Sequence, residues 1–184
     1  HEYGLENQKA LSLYAVDFNN DGFTDLVTID EVLSIPKFFK FNPEIKKFEQ
    51  IENPIEDLPR ASFLNFADFD RDGIYDLVLG FHNQKTELTQ YPSRVYKGIL
   101  KDGKISYKLQ SELPTKLKAT SAIVIFDFDL DGQLDLYLGN WYNFKGDVAI
   151  LESDNLLKGN GFNFIDVTHL LQNENRFDEE TDSY

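Results

Sequence analysis

The chain has 184 residues, of which 41% are hydrophobic and 14% aromatic, and this content predicts a globular fold with a substantial core rather than disorder. Its formal net charge of −14 argues against nucleic acid or an anionic membrane as a partner, because those surfaces are bound by clustered Lys and Arg. The absence of Cys excludes disulfides and thiol chemistry, and no apolar run reaches the roughly 18 residues that predict membrane insertion.

The first repeated unit, about residues 11–53, is predicted to contain four short strands. The segment 11–18 is apolar at most positions, which predicts a strand buried on both faces between two layers. Short apolar runs bounded by turn residues predict further strands at 25–29, 37–41 and 46–51.

The second unit, about residues 62–112, repeats this order. The Asp102-Gly103 pair predicts a hairpin turn before the last strand. The predicted strands are 62–69, 76–81, 94–100 and 105–109. We interpret the lysines of this region as charges that protect an exposed sheet edge from pairing with other chains; they are Lys97, Lys101, Lys104, Lys108, Lys116 and Lys118.

The third unit, about residues 121–168, follows the same plan and ends in a polar, acidic tail at 169–184. Residues 158–161 are rich in Gly and are interpreted as a link before the last strand. The predicted strands are 121–128, 136–139, 147–151 and 162–167.

A nine-residue acidic segment follows the first strand of each unit. These segments, which we call the first, second and third loops, are DFNNDGFTD at 17–25, DFDRDGIYD at 68–76 and DFDLDGQLD at 127–135. Oxygen-bearing side chains stand at positions 1, 3, 5 and 9 and Gly stands at position 6, a pattern that suits a hard cation bound by oxygen ligands.

Crowded carboxylates repel one another at neutral pH, and a divalent ion relieves that repulsion. The loops hold eleven of the 32 acidic residues, so much of the acidity of the chain is local. Zero Cys and three His disfavour zinc, copper and iron, so we predict about three calcium ions. Magnesium is the weaker alternative ion because it requires a stricter octahedral geometry. The alternative without an ion is a solvated acidic turn that binds nothing.

An EF-hand is disfavoured by position 12 of each loop. That position holds Thr28, Leu79 and Leu138, none of which supplies the bidentate carboxylate that closes an EF-hand. The apolar runs after position 9 are too short for a helix and predict strands.

The loops recur after 51 and then 59 residues, with about four predicted strands in each period. Repeats of this size built from strands are typical of propeller blades, and a four-stranded sheet buries little by itself. The predicted fold class is therefore all-β, a β-propeller with three four-stranded antiparallel blades in this chain.

The segments AVDFNNDGFTDLVTID, NFADFDRDGIYDLVLG and IFDFDLDGQLDLYLGN resemble FG-GAP/VCBS repeats, the calcium-loop blades of integrin alpha-subunit propellers and many bacterial surface proteins. FNFIDVT at 162–168 resembles the closing strand of such a blade. The resemblance implies metal ligands at positions 1, 3, 5, 7 and 9, position 7 through its main-chain carbonyl: Asp17, Asn19, Asp21, Phe23, Asp25, Asp68, Asp70, Asp72, Ile74, Asp76, Asp127, Asp129, Asp131, Gln133 and Asp135. Because Asn19 is the one neutral substitution, we expect the first site to be the weakest.

Propellers of this family commonly have about seven blades, so the resemblance implies further blades from a longer chain, a partner subunit or a symmetry mate. A free three-bladed arc would expose two apolar faces, which a soluble monomer rarely tolerates. The chain begins at His1, and we expect a processed or excised segment.

Calcium loops of low affinity fill where calcium is near millimolar, which favours an extracellular, cell-surface or periplasmic location. The favoured function is a calcium-stabilised, non-catalytic module that binds a protein or a glycan. Trp141, Tyr142 and Phe144 lie in a loop between the second and third predicted strands of the third unit and are the candidate ligand contacts. Packing of Trp141 between blades is the equally open alternative.

The propeller portion of a polysaccharide-active or redox enzyme is the alternative function. The sequence has no Cys nucleophile, no Gly-x-Ser-x-Gly elbow and no phosphate-binding loop, and its His residues at 1, 82 and 169 are widely separated. We therefore predict that the chain is not an enzyme.

Overall fold

The computed structural model describes residues 3–6, 8–30, 34–57, 60–81, 91–145 and 148–171. The protein is all-β, which confirms the predicted class, and the described residues contain three four-stranded antiparallel sheets and one turn of 3-10 helix. No helix among them has the length and hydrophobicity needed to cross a membrane.

The first two sheets are simple meanders in which strands adjacent in sequence pair with one another. The first sheet contains β1 (Ala10–Val16), β2 (Asp25–Asp30), β3 (Pro36–Asn42) and β4 (Lys47–Gln50). The second contains β5 (Phe63–Ala67), β6 (Asp76–Gly80), β7 (Arg94–Lys101) and β8 (Lys104–Glu112). The turn at Asp102 and Gly103 joins β7 to β8 as predicted, with both residues at positive φ.

The third unit contains an inserted hairpin that the sequence analysis did not predict. In this sheet β9 (Thr120–Phe126) pairs with β10 (Asp135–Asn140). After β10 the chain forms a separate hairpin of β11 (Tyr142–Lys145) and β12 (Val148–Leu151) before it returns to the sheet. The strand that pairs with β10 is β13 (Asn155–Asn160), followed by β14 (Asn163–Asp166).

Two sequence predictions about this unit are therefore wrong. The segment 147–151 was predicted as the third strand of the sheet, but its described part pairs with the neighbouring hairpin strand instead. The predicted link at 158–161 lies largely inside β13, where Gly159 sits in a paired strand. The predicted acidic tail begins with a 3-10 helix, Thr168–Leu171, and its remainder at 172–184 lies outside the described residues.

Successive sheets pack face to face through two apolar cores. The first core joins sheets one and two and includes Phe38 and Tyr107, whose ring centroids are 5.8 Å apart. The second joins sheets two and three and includes Val78 and Leu136. In β6, Leu77 and Leu79 belong to the first core and Val78 to the second, so the alternation of side chains along a strand covers both faces of the middle sheet.

The second and third sheets each turn the same face toward the sheet that precedes them. The residue four positions before the first Asp of the loop lies on this face, and in these sheets it is Leu64 and Ile123, which are only 3% and 8% exposed because the preceding sheet covers them. Leu13 occupies the same position in the first sheet and is 59% exposed. The expectation that this first strand is buried on both faces is therefore wrong for β1 within this chain.

The segment after the first sheet also contacts the second. Ile55 is buried and forms a parallel bridge with Tyr107, and Tyr107 N–H donates to the carbonyl of Pro54 at 2.8 Å. The polar connection between the sheets thus pairs with the outer strand β8, in addition to any protection from the lysines on that strand.

Candidate metal centres

The three loops share one backbone conformation. Position 4 has positive φ in each loop, at 54° in Asn20, 61° in Arg71 and 60° in Leu130. The Gly at position 6 has φ between 83° and 87°, a region where a side chain would be strained. The sequence pattern therefore reflects one turn geometry used three times, and the glycine is required for it.

The first Asp of each loop is held by two backbone amides. In the second loop, Asp72 N–H donates to one carboxylate oxygen of Asp68 at 3.1 Å and Gly73 N–H donates to the other at 2.9 Å. The same pair of bonds occurs on Asp17 and on Asp127. These bonds fix the orientation of the carboxylate in each loop.

The carboxylate at position 5 accepts the backbone N–H of position 7 in every loop. The donors are Phe23 at 3.1 Å, Ile74 at 2.9 Å and Gln133 at 2.8 Å. The residues at position 7 thus lie in the loop where they were expected, and metal ligation by their carbonyls stays a prediction.

The Asp at position 9 is fully buried at the start of the second strand of each sheet. Asp76 accepts two backbone N–H groups at 2.8 Å each, from Phe69 within the loop and from Gly98 in β7. Asp135 is held in the same way by Phe128 at 2.9 Å and Gly159 at 2.8 Å. This residue therefore ties the loop to the third strand of its sheet.

Burial raises the pKa of two of these carboxyl groups. The pKa of Asp25 is raised to about 6 by desolvation, and neighbouring loop carboxylates add to the effect. Desolvation likewise raises the pKa of Asp76 to about 6, although two backbone amides favour its charged form. A cation placed beside either group would offset the cost of its buried charge.

We expect the metal-free protein to become less stable as the pH rises from about 4 to about 6. The native pKa of about 6 for Asp25 and Asp76 exceeds the ordinary 3.8, so the native state binds more protons in this window than the unfolded state does. The free energy of unfolding then falls by roughly 1–3 kcal/mol per carboxyl as the pH rises.

Urea denaturation in EDTA at pH 5, 6 and 7 measures this effect, and greater stability at pH 7 than at pH 5 would contradict it. The opposite contribution, from carboxylates whose pKa is lowered by a lysine, is lost as the pH falls below about 5 and so lies outside the measured range of pH 5 to 7; Asp72 and Asp131 are of this kind.

Within the second loop, and likewise within the third, the structure brings three carboxylates close enough to act as ligands of one metal ion. One oxygen from each of Asp68, Asp70 and Asp76 lies within 4.8 Å of the others, and Asp127, Asp129 and Asp135 form an equivalent group. Each group can hold a metal ion. Arg71 donates to the Gly132 carbonyl, so the second and third loops lie side by side.

The first loop differs because Asn19 replaces the second carboxylate. Its side-chain oxygen accepts Asp21 N–H at 3.0 Å. Asp25 accepts Phe41 N–H at 2.8 Å with one oxygen, while its other oxygen is buried without a hydrogen-bond partner. An unpaired buried carboxylate oxygen is costly, and a cation bound in the loop would satisfy it. The residues present therefore fit a metal ion here too.

A lysine that sequence reasoning missed contacts each loop from the third strand of the sheet. Lys40 in β3 lies 2.9 Å from Asp21. Lys97 in β7 contacts Asp70 and lies 2.7 Å from Asp72. Lys158 in β13 contacts Asp129 and lies 2.8 Å from Asp131. We call Lys40, Lys97 and Lys158 the loop lysines.

The loop lysines correct one interpretation made from sequence. Lys97 lies in the inner strand β7, between β6 and β8, so it does not protect a sheet edge. It is separated from Asp70 by 27 residues, whereas Lys158 is separated from Asp129 by 29, because the connections before the third strand differ in length. The shared signal is a lysine immediately before the residue whose N–H reaches the position 9 Asp.

The candidate ligand residues lie at the other end of β10 from the third loop. Trp141 is 52% exposed and its ring packs edge to face against Tyr142, with centroids 5.3 Å apart. Both residues lie at the base of the hairpin, which also exposes Val148 and Leu151. Phe144 belongs to β11, and its side chain lies outside what the structure describes.

Comparison with known proteins does not assign the chain to a family. No protein-family model matches the chain, and a search of curated proteins finds no match.

Proposed function

We propose that this chain is a calcium-stabilised β-propeller segment of the FG-GAP/VCBS type, serving as a non-catalytic binding or scaffold module. The observation that carries the proposal is the threefold recurrence of one acidic loop with the same hydrogen bonds, each joining the first two strands of a four-stranded sheet.

Calcium is the ion that suits this ligand set best. The potential ligands are carboxylate and amide oxygens on a short loop with one Gly, which is typical of calcium sites. Magnesium demands a stricter octahedron and keeps more of its water. Binding would stabilise the fold, since a metal that binds only the native state lowers its free energy by an amount that grows with the logarithm of the free metal concentration above Kd.

The packing of the sheets supports a propeller that extends beyond these three blades. Leu64 and Ile123 are covered by the preceding sheet, while Leu13 on the same face of the first sheet is 59% exposed. At the other end, Val124 and Phe126 of the third sheet are 49% and 38% exposed. We propose that further blades, from a longer chain or a partner subunit, cover both faces.

The proposed location and partner follow from the metal and from the hairpin. Loops of modest affinity would fill outside the cytosol, so we place the protein in the extracellular space, on the cell surface or in the periplasm. The hairpin after β10 is the proposed contact with a protein or a glycan, because the half-exposed Trp141 and its neighbour Tyr142 offer aromatic area at low entropy cost.

Calcium titration of the full chain, followed by calorimetry and thermal unfolding, tests this function. We expect about three sites and a clear rise in Tm with calcium, and the loss of about one site each in Asp70→Ala and Asp129→Ala. Asp102→Asn is the matched control, since it removes a carboxylate from the β7–β8 turn, at a positive φ that Asn tolerates.

Two outcomes would contradict the proposal. A Tm that does not respond to millimolar calcium would remove the structural role of the metal. Loss of a site in Asp102→Asn equal to that in Asp70→Ala would show that binding reflects general acidity rather than the loops.

A further inference from the structure

The loop lysines are placed by the pairing of strands rather than by chance on the surface. In each sheet, the residue after the loop lysine donates its backbone N–H to the buried position 9 Asp at 2.8 Å; the donors are Phe41, Gly98 and Gly159. The lysine therefore projects toward its loop at a fixed register in all three sheets.

The loop lysines contact the carboxylates that a bound cation would use. In the second and third loops, the ammonium group contacts both position 3 and position 5. Two positive charges beside the same carboxylates repel each other, so a divalent ion and the ammonium group compete for them. The side chains of Lys40, Lys97 and Lys158 are 41%, 28% and 34% exposed, which leaves each a path into solvent.

We propose that the loop lysines are built-in counterions, which neutralise the acidic loops before metal binds and are displaced by the ion. The inference rests on the proposed calcium function and adds to it a determinant of affinity. Binding then exchanges one cation for another, and the affinity for calcium is lower than the carboxylates alone would provide. The same contacts stabilise the metal-free loops, which would otherwise hold three or four mutually repelling carboxylates.

Replacing a loop lysine by Met tests this inference, because Met keeps an unbranched side chain while removing the charge. In calorimetric titrations of the full chain, Lys97→Met and Lys158→Met should each raise the calcium affinity of one site about tenfold. In EDTA at low salt, the same variants should unfold at a lower temperature than the wild type. Lys101→Met is the matched control, since it removes an exposed lysine from the end of the same strand β7.

The outcomes separate this inference from the calcium function itself. Calcium binding at the wild-type level or weaker in both loop-lysine variants would overturn the counterion role and leave the calcium function standing. An equal gain in affinity in Lys101→Met would also overturn it, because overall charge would then explain the effect. Absence of calcium binding in the wild type and in every variant would refute the calcium function, and the inference with it.

Discussion

Asp76→Asn is expected to destabilise the metal-free protein by about 2 kcal/mol more than Asp25→Asn does. Both oxygens of Asp76 accept a buried backbone N–H, from Phe69 and from Gly98. The amide of Asn accepts only one of these bonds and leaves the other donor buried and unpaired, which costs about 1–3 kcal/mol.

Asp25 provides the matched comparison within the same molecule. One of its oxygens accepts Phe41 N–H and the other has no hydrogen-bond partner, so an Asn amide group can replace the unpaired oxygen without losing a bond. Urea denaturation of both variants in EDTA measures the difference. Equal destabilisation by the two substitutions would contradict the hydrogen-bond pattern that distinguishes the loops.

Calcium should stabilise both variants less than it stabilises the wild type. Both substitutions remove a charged ligand, so each variant is expected to lose the calcium-dependent rise in Tm that belongs to its own loop. A variant that is stable in EDTA but gains less from calcium would separate the folding role of the position 9 Asp from its role as a ligand.

Gly159→Ala is expected to destabilise the protein by about 3 kcal/mol, which corresponds to roughly 10 °C in Tm for a chain of this length. A Cβ at this position would lie 2.0 Å from the carbonyl oxygen of Leu134. Only a movement of the backbone can relieve this clash. Gly98 is in the same situation, 2.2 Å from the Tyr75 carbonyl oxygen. In the second and third sheets these glycines leave room for the loop carbonyl against the third strand, whereas in the first sheet Phe41 makes the equivalent bond to the buried Asp.

Gly139→Ala is the control for this prediction. Its added Cβ would meet the side chain of Ala122 at 3.3 Å, a contact that a small shift of the side chain can relieve. Thermal unfolding of both variants measures the contrast. A Tm of Gly159→Ala within 2 °C of that of Gly139→Ala would contradict the close approach of β13 to the third loop.

The third unit shows why pairing partners were harder to predict than strands. The apolar run at 147–151 and the strand β13 both have the composition of a strand, and the sequence prediction paired the first of them with the second strand of the unit. The sheet instead uses β13, whose Gly159 N–H reaches Asp135. The local composition of the two strands does not indicate which of them pairs with β10 and bonds Asp135.

The sequence by itself determined the strand-rich class, the three loops and the oxygen-bearing side chains in them, because these depend on residues within nine positions of one another. Only the tertiary structure placed the loop lysines, the glycines of the third strands and the two backbone amides on Asp76 and Asp135. In the second and third sheets, the lysine, the glycine and its backbone amide each contact a loop residue more than 20 positions away, through connections of different lengths. Their positions therefore follow from strand pairing rather than from any fixed spacing along the chain.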